Sequence, residues 1–169
     1  MLATATAPFQ PQQTPAPTDL ALIITHVGGG LSAPGQVAVD APGNVWVLNK
    51  GNNSVTKLNN LGVAQSGSTG FTAGPIATPV SLAIDSSGNA WVANSGNSVV
   101  KLNPSGATGT LYTGGGLDSP SSVALDTSGN AWVANSGNGS VTEITSEGTL
   151  TNDTGANGSS PTSIVVDPQ

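Results

Sequence analysis

Any chemistry in this chain has to start from few groups. There is one imidazole, His26, no cysteine, and nine carboxylates against three lysines. A lone histidine supplies neither a histidine-based acid–base pair nor a multi-histidine metal site. Without cysteine there is no thiol nucleophile, no thiolate metal ligand and no disulfide. The carboxylates that recur in a pattern are Asp40, Asp85 and Asp126, each opening an Asp-x-x-Gly-Asn stretch, with Asp167 at the corresponding place of a fourth copy. Calcium takes roughly six to eight oxygens, usually from several carboxylates, and each stretch offers a single carboxylate. Turn chemistry accounts for them better, because an Asp side chain accepts backbone N–H groups and Gly permits positive φ. No residue is assigned to catalysis, to a cofactor or to a metal, and the chain is read as non-enzymatic.

Two further sets of residues recur in register. Trp46, Trp91 and Trp132 occupy one strand position, which predicts packing between adjacent units; a solvent-facing ladder would instead suit carbohydrate stacking. The loops that follow, around Asn49 and Asn52, Asn94 and Asn97, and Asn135 and Asn138, gather amides and hydroxyls. Such loops could hold a neutral polar ligand such as a glycan, and ordinary turn composition accounts for them equally well.

The elements that must position these residues repeat. Pro34, Pro79, Pro120 and Pro161 are each followed six residues later by an Asp, at spacings of 45, 41 and 41 residues. The first three Asp residues lead into DAPGNVWVLN, DSSGNAWVAN and DTSGNAWVAN. Within a unit the first strand is a short apolar run: Val37-Ala38-Val39, Leu82-Ala83-Ile84, Val123-Ala124-Leu125 and Ile164-Val165-Val166. Consecutive apolar positions predict cover on both faces. The Asp turn joins it to a second strand holding the Trp. A third follows the Asn/Gly/Ser loop, and a weaker fourth lies near Phe71, Leu111-Tyr112 or Leu150. Helix signals are absent. A unit of about 41 residues with four short strands is the pattern of a β-propeller blade.

The residues resemble the NHL-repeat family and the neighbouring virginiamycin B lyase-like propellers, whose units run Pro, short apolar strand, Asp, Gly-Asn, an aromatic and a polar loop. The resemblance covers 34–167 and implies an all-β fold, a β-propeller with four-stranded antiparallel blades. For the lyases it further implies His and Glu residues near the propeller axis with a divalent metal, and the single His26 with Glu143 and Glu147 does not match that set. Gluconolactonase-type propellers imply one axial metal held by acidic and amide side chains, which the sequence does not place. RNA-binding NHL domains imply a basic face, and lysines at 50, 57 and 101 cannot build one.

Charge agrees: 7% charged residues and a net charge of −6 exclude a phosphate-gripping surface and attraction to anionic membranes. No apolar run approaches the ~20 residues needed to span a bilayer. Residues 1–19 hold four prolines and few large apolar side chains, so they read as a linker or arm. Residues 20–33 align with the end of a unit and predict the outer strand of a preceding blade. Three complete repeats follow (34–78, 79–119 and 120–160), and 161–169 predicts the inner strand of a further blade. Three completions stay open: missing blades of a longer propeller, strand sharing between copies, or closure with half a blade. The expected role is an interaction or scaffold module, extracellular or envelope-associated, for a protein or neutral polar ligand, with a homo-oligomer through unpaired edge strands as one form. A fragment of a lyase-like or lactonase-like enzyme lacking its catalytic blades, and a self-assembling repeat protein, are the alternatives.

Overall fold

The computed structural model describes residues 26–154 and 159–167. Among them there is no helix, and so none long and apolar enough to cross a membrane. Eleven strands form three antiparallel sheets, one per repeat. The first holds β1 (Pro34–Val39), β2 (Val45–Asn49) and β3 (Ser54–Leu58). The second holds β4 (Pro79–Ile84), β5 (Ala90–Asn94), β6 (Ser98–Leu102) and β7 (Gly109–Thr113). The third holds β8 (Pro120–Leu125), β9 (Ala131–Asn135), β10 (Ser140–Ile144) and β11 (Leu150–Asp153). Strands run in sequence order across each sheet, and β1, β4 and β8 of successive sheets are neighbours. The chain is a partial β-propeller of three blades.

The first blade departs from four full strands. Its fourth position is reduced to single bridges, Leu58 with Ala64 and Val55 with Phe71. This repeat is the longest of the three, and the extra residues loop between the two bridges rather than extending the ladder.

Each inner strand opens in the same irregular way. The residue before its proline, Ala33, Thr78 or Ser119, has φ of 43°, 49° or 47°, a left-handed conformation rare for residues with a Cβ. The ladder then slips between Pro34 and Gln36, Pro79 and Ser81, and Pro120 and Ser122. Proline has no N–H to give the ladder, so the slip falls where no bond is lost. Neighbouring backbone fixes the strained residue: Lys50, Ser95 and Ser136 N–H groups donate to the carbonyls of Ala33, Thr78 and Ser119.

Two apolar clusters fill the two spaces between blades. Trp46, Leu48 and Val55 meet Leu82, Val92, Val100 and Leu102. Trp91, Ala93 and Val99 meet Val123, Ala131, Val133 and Ile144. Near the axis the blades are tied through their inner strands. The Leu82 N–H donates to Gln36 Oε1 at 2.7 Å and the Val123 N–H to Ser81 Oγ at 3.1 Å, which satisfies inner-edge groups that have no ladder partner.

The outer faces of the stack differ from the expectation. Val37 and Val39 of β1 are 58% and 61% exposed, because no blade lies against that side among the described residues. Of the predicted strand at 20–33, residues 20–25 lie outside the described residues, and 26–33 form a turn. Residues 161–167 are not a strand either. In the complete blades the inner strand is held by the second strand of its own blade, and none is described after 167. The Pro161 carbonyl instead accepts from Ser121 Oγ at 2.6 Å.

Candidate functional site

The repeated Asp turn builds a small polar centre at each blade. In the first, Asp40 Oδ1 accepts the Asn44 N–H at 2.7 Å, while Oδ2 accepts Asn44 Nδ2 at 2.8 Å and the Trp46 indole Nε1–H at 3.0 Å. Asp85 receives the same set from Asn89 and Trp91. Asp126 receives it from Asn130 and Trp132. Burial alone would raise these carboxyls. The hydrogen bonds from Asn and Trp outweigh it, aided by the lysine charge at Asp40 and Asp85, and hold all three below the ordinary 3.8. Asp167, placed with them from the sequence, has no such turn among the described residues.

A cation completes two of the three centres. Lys57 Nζ lies 4.4 Å from the Trp46 ring centroid and 3.8 Å from Asp40; Lys101 Nζ lies 4.7 Å from the Trp91 ring and 3.7 Å from Asp85. A second aromatic also neighbours each of these rings: Trp46 has Phe71 at 6.1 Å and Trp91 stacks on Tyr112 at 5.5 Å. The sequence reading missed both partners. Their signal is register, since Lys57, Lys101 and Glu143 each stand three residues after the serine that opens the third strand.

Trp46 and Trp91 are fully buried between blades. Trp132 is not: its side of the third blade is only half-buried, and it joins neither inter-blade cluster. Among the described residues inter-blade packing is made by two of the three indoles; Trp132 points away from the second blade, to a side on which no further blade is described.

The asparagines expected on a ligand-binding rim are largely engaged. Asn49, Asn94 and Asn135 end strands β2, β5 and β9 rather than lying in loops, and all three are fully buried. Their amides donate to Ser54, Ser98 and Ser140 hydroxyls, and their oxygens accept the N–H of Ser32, Ala77 and Asp118. Asn52 and Asn138 donate to the Gly30 and Gly116 carbonyls. Asn97 Oδ1 accepts the Ser119 N–H at 2.8 Å, as Asn53 Oδ1 accepts that of Thr78 at 3.1 Å. The last two are blade-to-blade ties onto the strained residues before proline.

His26 is exposed, with its ring over Gly62, as Phe71 lies over Gly106. Among the described residues no three His, Cys, Asp or Glu side chains group as metal ligands, so they do not fit the divalent metal that the lyase resemblance implies.

These blades define a propeller, and solved propellers are similar to it. The chain matches a streptogramin B lyase at 24% identity with a TM-score of 0.67, over 84% of this chain and 46% of that one. Virginiamycin B lyase from Staphylococcus aureus matches at 17% identity and a TM-score of 0.61, over 72% of this chain and 41% of the enzyme. An extracellular domain of BT4673 from B. thetaiotaomicron matches at 25% identity and a TM-score of 0.62, over 83% of this chain and 18% of that one. The fold is thus of the propeller type that the sequence resembles, and the chain spans less than half of each. No protein-family model and no curated protein sequence matches it.

Proposed function

We propose that the chain is a non-enzymatic interaction or scaffold module, displayed outside the cell or on its envelope, that engages a protein through accessible apolar surface of its blades. One observation carries this reading: among the described residues the polar machinery of the repeats is tied within and between the blades, while apolar side chains at Val37 and Val39 and the half-buried Trp132 stay accessible. The turn carboxylates are tied to their own Asn and Trp, and among the described residues no buried side-chain nitrogen or oxygen lacks a partner. The rim amides hold neighbouring loops, which favours a protein over a glycan as partner. Val37 and Val39 on one side and Trp132 on the other remain accessible, and accessible apolar surface of this kind marks interaction sites. The low charge and the extracellular domain of like fold support the location.

The second reading, a segment of a lyase, is supported by the fold likeness to streptogramin B lyase. An inactive variant of the S. aureus enzyme was solved with quinupristin, which makes quinupristin the discriminating probe. Incubated with the chain, with and without magnesium, quinupristin should remain intact by mass spectrometry. Its consumption in proportion to protein concentration would overturn the non-enzymatic reading.

A further inference from the structure

The third blade keeps the Asp turn, the Trp and the buried Asn of the first two but differs from both at three positions on its outer half. In the loop before the third strand, Asn53 and Asn97 cap the following blade, and the corresponding residue is Gly139. On the third strand, Lys57 and Lys101 sit over the indoles, and Lys57 continues to the Pro104 carbonyl of the next blade at 2.9 Å; the corresponding residue is Glu143. On the fourth strand, Phe71 and Tyr112 pack on the indoles, and the corresponding residue is Asp153. The pairing is unambiguous: Lys57 lies opposite Trp46, Lys101 opposite Trp91, and Glu143 opposite Trp132.

The Trp132 centre keeps its anionic half. The indole Nε1–H still donates to Asp126 Oδ2 at 3.0 Å. The strand position that carries the ammonium in the sister blades is Glu143 here, paired across the strands with Trp132, and its carboxylate has no hydrogen bond or salt bridge among the described residues. Asp153 lies on the same face, opposite Val141. The two sister centres show what a Trp–Asp pair in this setting binds, namely an alkylammonium held by ring and carboxylate together. Among the described residues no ammonium takes that place, and the cross-strand partner of Trp132 is the carboxylate of Glu143. We propose that the Trp132 face is a recognition site for a lysine or arginine side chain of a partner protein, inserted over the indole between Asp126 and Glu143.

A second copy of this chain is a poor source of that cation. It has no arginine, and two of its three lysines are committed to their own indoles. The complementary partner is basic, matching the net charge of −6.

This proposal rests on the interaction-module reading, and its test is separate from the quinupristin assay. The full chain, labelled with nitrogen-15, shows three indole N–H signals, assignable by replacing each Trp with Phe. Titration with N-acetyl-lysine amide should shift the Trp132 signal saturably, with half-saturation in the millimolar range, while the Trp46 and Trp91 signals stay in place. N-acetyl-norleucine amide, of similar length and uncharged, should leave all three unmoved, and added salt should weaken the lysine response. Glu143→Gln should weaken it several-fold. Glu143→Lys should shift the Trp132 signal without any probe and abolish the response, by rebuilding the sister arrangement within the chain. An unmoved Trp132 signal, an equal response to norleucine amide, or a Glu143→Lys variant that still responds would each overturn the site. A signal unresponsive because a second copy covers the ring, seen as doubled mass in light scattering, would overturn it as well.

Discussion

Lys57 reaches across a blade boundary while lying on Trp46: its ammonium is 4.4 Å from the ring centroid, 3.8 Å from Asp40 Oδ2 and 2.9 Å from the Pro104 carbonyl of the second blade. One cation thus joins an indole, a turn carboxylate and the neighbouring blade. A partly desolvated cation over an indole contributes about 1–2 kcal/mol. Lys57→Met, which keeps the apolar stem, should lower unfolding stability by about that amount in urea titrations. Glu143→Met at the corresponding position of the third blade should change it by less than about 0.5 kcal/mol. Equal losses would contradict the assignment of the lysine to the indole.

Acid sensitivity should follow the three turn carboxylates. Asp40, Asp85 and Asp126 are held below the ordinary 3.8 in the folded chain. Above that value the carboxyls are ionised in both states and their stabilisation is complete. As pH falls through it, the unfolded chain binds protons first, and stability is lost until the folded carboxyls are protonated too. The urea midpoint should therefore be flat near neutrality and drop below about pH 4, the ordinary range for Asp. Asp85→Asn, though less stable throughout, should show a shallower drop. An unchanged slope would mean that the folded carboxyl is not depressed.

Removal of the indoles should separate the buried from the open blade face. Trp91→Ala leaves a cavity between two blades and should cost about 3–5 kcal/mol. Trp132→Ala, at a half-buried site, should cost less than half of that, by the same apolar-area reasoning. Fluorescence adds a second readout, because acrylamide should quench Trp132 well before Trp46 and Trp91. Similar costs and similar quenching would show that the third face is covered in solution.

A glycine contact tests the packing between the first two blades. Gly106 has φ of 68°, and a Cβ there would run into the Phe71 ring. Gly106→Ala should destabilise by about 1–3 kcal/mol through overpacking and backbone strain together. Gly67 has ordinary φ and open space around its Cβ position, so Gly67→Ala should be neutral or stabilising by up to about 1 kcal/mol. Thermal melts of the two variants decide it, and a tolerated Gly106→Ala would displace Phe71 from its assigned place.

The fold was legible in the residues because turn chemistry is local. Asp40 with Gly43 and Asn44, repeated at 85–89 and 126–130, carries its own hairpin geometry, and the spacing between copies counts strands without reference to the rest of the chain. Strand type and order followed from apolar runs between those turns, and the sheets match them. Which side of each strand is covered did not follow, since an apolar Val37-Ala38-Val39 reads the same whether or not a blade lies against it. The burial of Asn49, Asn94 and Asn135 was hidden for a related reason: an Asn beside Gly and Ser looks like loop, and only the serine across the hairpin and the N–H of a distant connection pull it inside. The fate of the lysines and of Glu143 was equally out of reach. Position in the repeat is written in one dimension, but whether a Trp ring meets an ammonium, a second aromatic or open space depends on cross-strand neighbours and on the next blade, contacts that exist only once the sheets are stacked.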